Sequence, residues 1–262
     1  MDSAYIILCN GNAVRWGAGV PTQKWMAEVD GRPNLFRTVD MLRQTGVPAD
    51  RIICASRQRH SDFVGNYCRF LALPETGSTC ETILQASSGI IGERVFLLGD
   101  VIYTRSAVSR IVTDKAQVRF FGRPGASRFS SKIWGEIFAL RLSETGWQSA
   151  RPLIEELVGR LSRGEIDRAI LWDIYFGLVG DSGRPLKISK SLFSIIDDQT
   201  DDYDTREEYD RLLRRHNALQ TANPFARMKY LWLPNLRYLL RNARHSFKQH
   251  IGLQPRPFII TD

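Results

Sequence analysis

Three short apolar runs dominate the first hundred residues, and they constrain the fold more than any other feature. Tyr5-Ile6-Ile7-Leu8-Cys9 leads into Asn10-Gly11-Asn12, Arg51-Ile52-Ile53-Cys54-Ala55 forms a second run, and Val95-Phe96-Leu97-Leu98 closes on Gly99-Asp100. Runs this short, apolar throughout and ended by turn residues, read as strands buried on both faces. Between them, Leu35, Val39 and Leu42 share one helical face before Gly46, and residues 79–88 read as a helix with a polar start. Strands alternating with helices imply βαβ units, a parallel sheet and helices on both faces.

The middle of the chain differs. Residues 117–122 and 133–142 read as strands, 152–162 as a helix opening at Pro152, and 193–198 as a late strand. Thr205 is placed to cap a helix through about residue 215, with Glu207 and Glu208 in its first turn, where the helix dipole favours them. Asp197, Asp198 and Asp201 read as solvated loop charge, and the four histidines, His60, His216, His245 and His250, as surface residues.

The chain of 262 residues carries a net charge of +8. Residues 216–262 hold seven Lys/Arg and one acid, so the basic character belongs to the tail. The reading is a domain over 1–215 followed by a basic helical extension over 216–262, whose Leu236, Leu239, Leu240, Ala243 and Phe247 recur at helical spacing beyond Pro234. That apolar face can dock on the body or on a second subunit as a homodimer contact, or lie on an anionic membrane; a nucleic-acid arm is the weakest reading, and no nucleic acid partner is expected. No apolar run reaches the roughly 18–20 residues of a bilayer span, and the first residues lack a signal-peptide pattern, so a cytoplasmic location is expected. Cys9, Cys54, Cys68 and Cys80 form no CxxC pair and read as free thiols.

Three features carry chemistry. The first is the loop after the first strand, with Leu8, Asn10, Gly11, Asn12 and Arg15, then Lys24. Small residues let backbone amides approach a polyphosphate, and the two cations can neutralise it; an ordinary turn with surface bases reads equally well. The glycines of the dinucleotide-binding and Walker patterns are absent. The second is Gly99-Asp100, an acid at the carboxyl end of a parallel strand, where open α/β sheets bind ligands. The third is Asp202-Tyr203-Asp204-Thr205 before a helix, which offers a second carboxylate for a magnesium ion or simply a helix cap.

Taken in order, these features resemble the sugar-phosphate nucleotidyltransferase family, including its cytidylyltransferase relatives. Gly11, Arg15 and Lys24 match the family's opening, and Val29-Asp30-Gly31-Arg32-Pro33 is similar to its V-x-G-x-P stretch. Gly99-Asp100 resembles its Gly-Asp, and Asp204-Thr205-Arg206-Glu207 its late Asp-Thr-Pro-Glu. Ala13 and Val14 depart from the usual glycine and threonine. The resemblance covers about residues 4–215. It implies a three-layer GT-A/Rossmann-like α/β fold with a mixed, mostly parallel sheet.

By that resemblance a nucleoside triphosphate, with CTP favoured, is joined to a small phosphorylated acceptor (a sugar phosphate, alcohol phosphate or phosphonate), and pyrophosphate is released. Leu8, Asn10, Gly11, Asn12, Gly77, Ser78 and Thr79 would contact the nucleotide, and 77–79 is equally a helix N-terminus. Asp100 and Asp204 would hold Mg2+, with Asp202 the rival second ligand, and Arg15 and Lys24 would offset phosphate charge. Lys132, Trp134 and Glu136 are the candidates for the acceptor pocket. Two other readings stand beside this one. A GT-A-type glycosyltransferase would use Asp202-Tyr203-Asp204 as a metal-binding Asp-x-Asp, and a catalytically silent nucleotide-binding protein would account for the altered opening loop.

Overall fold

The computed structural model describes residues 3–11, 16, 23–127, 132, 134–180, 186–220, 225, 228–229, 233, 236, 240 and 258–261. The chain opens with β1 (Ala4–Leu8), the hairpin β2 (Glu28–Val29) and β3 (Arg32–Pro33), and α1 (Asn34–Gln44). β4 (Ile52–Arg57), α2 (Ser61–Val64), β5 (Arg69–Leu73), α3 (Thr79–Ala86), β6 (Arg94–Leu98), β7 (Val101–Ile102) and α4 (Arg105–Thr113) follow. Next come β8 (Val118–Arg123), β9 (Glu136–Leu142), α5 (Glu144–Ser162), α6 (Leu171–Val179), β10 (Leu186–Ser189) and β11 (Phe193–Ile195). The chain continues through β12 (Asp201–Asp202) and α7 (Arg206–Gln220) to β13 (Phe258–Thr261).

Seven strands form one sheet in the order β11-β8-β9-β6-β1-β4-β5. β1 pairs in parallel with both β4 and β6, while β9 runs antiparallel to β6 and β8 and is the reversed strand of the sheet. The expected mixed, mostly parallel α/β sheet is therefore present. Strand alternation divides the core. Ala4, Ile6 and Leu8 pack with α3, α5 and α6, whereas Tyr5, Ile7 and Cys9 pack with α1 and α4. Every residue of β1 is buried, which explains why its sequence is apolar on both faces.

Several expectations need correction. α5 begins at Glu144, eight residues before the expected start at Pro152, because Ser143 caps it by accepting from Gly146 N; Pro152 lies inside the helix. α4 and α6 were not anticipated. The tail ends in a strand, β13, which pairs in parallel with β10, as its Phe258-Ile259-Ile260-Thr261 composition suits. Asp201 is fully buried and ion-paired with Arg123 at 3.1 Å. Asp198 accepts hydrogen bonds from Thr104 Oγ1 and Thr200 N. Neither acid is solvated loop charge; together they fasten the segment carrying β12 to the body. His60 is also buried, at 5% exposure.

Candidate active site

Two strand ends converge on one point. At the end of β6, Gly99 N donates to Leu8 O at 3.0 Å, which draws the turn against β1. A Cβ at Gly99 would lie 2.6 Å from Cys9 Sγ and 2.8 Å from Leu8 O, so only glycine permits this approach. Asn34, fully buried at the start of α1, donates its amide Nδ2 to Gly99 O at 3.2 Å and Val101 O at 2.9 Å. The two carbonyls flanking Asp100 are thereby held by one side chain. The Asp30-Gly31 turn of the β2–β3 hairpin, with positive φ of 57° and 71° at its two residues, delivers the chain to this helix start.

The second acid arrives from the far end of the domain. β12 pairs antiparallel with β7, with Asp202 opposite Val101, and Tyr203 N donates to Asp100 O at 3.3 Å. Asp204 follows immediately. Thr205 Oγ1 accepts from Glu208 N, and the Glu208 carboxylate accepts from Asp204 N, a capping box that fixes the turn at the head of α7. Tyr203 is fully buried, packs against Trp16 and Tyr209, and donates its hydroxyl to Lys24 O at 2.8 Å.

Lys24 occupies the centre. Its ammonium donates to Asp100 Oδ2 at 2.5 Å and to Asp204 Oδ1 at 2.9 Å. Burial pulls the Lys24 pKa down, but the two carboxylates outweigh it and hold the amine above its ordinary range. A cavity of about 350 Å³ opens beside the triad, within the size range of small-molecule sites. Its lining includes Leu8, Asn10, Gly11, Lys24, Gly77, Ser78, Thr79, Asp100 and Asp204. The structure thus brings together most of the nucleotide and metal candidates read from the sequence; Asn12 and Arg15 lie outside the described residues.

The wall formed by residues 76–79 is built from directed hydrogen bonds. Asn10, 1% exposed, donates Nδ2 to Pro74 O and to Thr76 Oγ1. Thr82 Oγ1 donates to Ser78 O, so the 2.7 Å contact between the two threonine hydroxyls has Thr76 as donor. Ser78 caps α3 by accepting from Glu81 N, and Glu81 accepts from Gly77 N at 2.8 Å. The helix-cap reading of this loop therefore holds, and the Gly77 amide is engaged within the protein. Arg168, Ala169 and Ile170 complete the wall, tied to α3 through Cys80 N to Ala169 O at 3.2 Å. Sequence reasoning missed Asn34, Thr76, Tyr203 and Arg168; of these, only Asn34 following the V-x-G-x-P stretch offered a local signal.

The acceptor candidates sit differently. Lys132 is in direct contact with Asp202 and lies 3.6 Å from Glu136. Burial and the neighbouring acid drive the Asp202 carboxyl well above its usual range, and burial also raises Glu136. Trp134 is 67% exposed. None of Lys132, Trp134 and Glu136 lines the cavity. Asp202 points to Lys132 while Asp204 points to Lys24, so the two acids of the Asp-x-Asp spelling take different partners.

Could the Asp100–Asp204 pair hold a metal? A cation already bridges it, in the form of the lysine ammonium, and its oxygen donors suit a hard divalent ion. Among the described residues no three His, Cys, Asp or Glu side chains converge as a preformed cage. The pair therefore offers the one or two carboxylates that magnesium takes alongside substrate phosphates. Among the described residues no helix is long and apolar enough to cross a membrane.

The mostly parallel sheet, its flanking helices and the cavity over the first strand form an α/β fold that solved nucleotidyltransferase structures share. A Bacillus anthracis protein assigned as a glucose-1-phosphate thymidylyltransferase superposes with a TM-score of 0.55 at 15% identity, covering 80% of this chain and 94% of that one. The inositol-1-phosphate CTP transferase from T. maritima gives 0.52 at 9% identity over 83% and 96% of the chains. The 4-diphosphocytidyl-2C-methyl-D-erythritol synthase from Anaerococcus prevotii DSM 20548 gives 0.52 at 10% over 84% and 98%. At these identities the likeness establishes the fold. No family model and no curated protein sequence matches the chain.

Proposed function

We propose that the protein is a magnesium-dependent nucleotidyltransferase that joins a nucleoside monophosphate to a small phosphorylated acceptor and releases pyrophosphate. One observation carries the reading: Asp100 and Asp204, more than a hundred residues apart in sequence, meet on a single cation at the edge of a cavity lined by Asn10, Gly11 and Gly77–Thr79.

In this reading the triphosphate lies over the end of β1. Asp100 and Asp204 would hold the divalent ion, which would neutralise charge developing on the phosphates. Lys24 orients and offsets the triphosphate, and Arg15 is proposed for the same task. The acceptor's phosphate oxygen attacks the α-phosphorus in line as pyrophosphate departs. Such chemistry depends on positioning and preorganised charge, and no protein nucleophile is required. The pair Lys132 and Glu136 is proposed to sit on the acceptor side, with Trp134 as an exposed wall. CTP is the favoured nucleotide, supported by fold neighbours that include a CTP transferase.

The test is a panel of four triphosphates, each with magnesium, read first by thermal shift and then by pyrophosphate release with sugar-phosphate, alcohol-phosphate and phosphonate acceptors. A ligand selective for the folded state raises its apparent stability. CTP should give the largest shift and support turnover. Release of a nucleoside diphosphate from a sugar nucleotide would favour the glycosyltransferase reading instead, and binding without turnover the silent one.

A further inference from the structure

We infer that Lys24 is a displaceable guard of the cation position, which keeps the Asp100–Asp204 pair closed to a bare divalent ion until a triphosphate arrives to take the lysine's charge. The inference rests on the proposed reading of that pair as the metal-holding carboxylates.

The geometry sets the competition. Both carboxylates already share one ammonium, at 2.5 and 2.9 Å. The three side chains are only 11%, 32% and 25% exposed, so water screens them incompletely. A divalent ion accepting both oxygens would meet the ammonium at contact distance, where like charges repel strongly. The ammonium must therefore leave for the ion to enter.

The backbone at Lys24 does not leave with it. Tyr203 donates to the Lys24 carbonyl at 2.8 Å, from the same turn that carries Asp204. Lys24 lies in a short helical turn, Lys24–Met26, whose next residue, Trp25, is buried against His60 and Phe63. Only the flexible side chain is free to swing, and the cavity it lines together with Asn10 and Gly11 is where a polyphosphate would offer it a new partner. Cation binding and polyphosphate binding then assist each other by the same factor, as linkage requires. A bare ion binds poorly, and the guard releases when the nucleotide is in place.

Mn2+ alone, titrated by its electron paramagnetic resonance signal, is the direct probe. Lys24→Met and Lys24→Gln should each bind Mn2+ at least about tenfold more tightly than the unmutated protein, since a neutral side chain no longer contests the carboxylates. Adding Asp100→Asn to either variant should abolish the gain. Equal or weaker Mn2+ binding by folded Lys24 variants overturns the proposal. The unmutated protein supplies an independent readout: the lysine ammonium 15N signal of Lys24 should shift on addition of inorganic tripolyphosphate without metal. An unmoved signal at saturating tripolyphosphate overturns it as well. Pyrophosphate release with no Lys24 effect on Mn2+ would remove the guard and leave the reaction standing. Tight Mn2+ binding in Lys24→Met, lost with Asp100→Asn, together with no pyrophosphate release by the unmutated protein from any triphosphate, would keep the guard and remove the reaction.

Discussion

Asn34→Ala isolates the contact that frames Asp100. The residue is fully buried, and its Nδ2 satisfies two carbonyls, Gly99 O and Val101 O. Alanine removes both bonds and offers no replacement donor. Leaving a buried acceptor unsatisfied costs about 1–3 kcal/mol, and the 3.2 Å bond to Gly99 is the weaker of the two. The expected loss is therefore about 2–4 kcal/mol in urea unfolding, read as a fall in midpoint at constant slope. Domains of this kind carry roughly 5–15 kcal/mol in total, so the variant should still fold. Its activity should drop further than its stability implies, because the Gly99–Val101 turn sets where the Asp100 carboxylate sits. A displacement of about 1 Å at a reacting centre can cost roughly a hundredfold in rate. Pyrophosphate release per folded molecule should fall by about ten- to a hundredfold. An unfolding midpoint equal to that of the unmutated protein, with full activity, would refute the role given to this amide.

Two further outcomes follow from buried polar groups. Asp201→Asn leaves Arg123, 4% exposed, without its counter-charge; the variant should lose about 3 kcal/mol in urea unfolding, and a loss below about 1 kcal/mol would contradict the pairing. His60 concerns pH. Ser56 Oγ donates to Cys9 O at 2.9 Å, so the imidazole Nδ1 donates to Ser56, and Nε2 accepts from Arg59 Nε at 3.2 Å. Burial, then the charges of Arg59 and Arg57, lower the folded-state pKa from 6.5. The unfolded chain thus binds the proton more readily, and stability should decline as pH falls below about 6.5 toward the folded value. In His60→Asn thermal melts between pH 7 and 5 this part of the decline should vanish; an unchanged slope would show that His60 does not titrate this way.

What the sequence disclosed was whatever local chemistry dictates. β1 is apolar on both faces because it is central, and Gly99 precedes Asp100 because a side chain there would strike Cys9 and Leu8 O. Lys24, Asp100 and Asp204 were legible as candidates because they match the pattern of the family the sequence resembles. The helix N-terminus at 77–79 was legible from its polar start, while its cap, Ser78 accepting from Glu81 N, came from the structure. What stayed hidden depends on distant partners. Nothing near Asp201 announces Arg123, and nothing near His60 announces Trp25, against whose ring the imidazole packs. Tyr203 carried no reading of its own within Asp202-Tyr203-Asp204, yet its hydroxyl ties Lys24 to the second strand end. The expected helix started at about Pro152, whereas Ser143 supplies the actual cap and the helix begins eight residues earlier, at Glu144.

The central claim is that Asp100 and Asp204 together hold the cation through which nucleotidyl transfer runs. It is tested most directly by pyrophosphate release in magnesium with the preferred triphosphate and acceptor, compared among the unmutated protein, Asp100→Ala and Asp204→Ala at matched folded fraction. The account predicts release by the unmutated protein and a loss of at least about a hundredfold in each variant, with thermal unfolding still cooperative. Full activity in folded Asp100→Ala would contradict it.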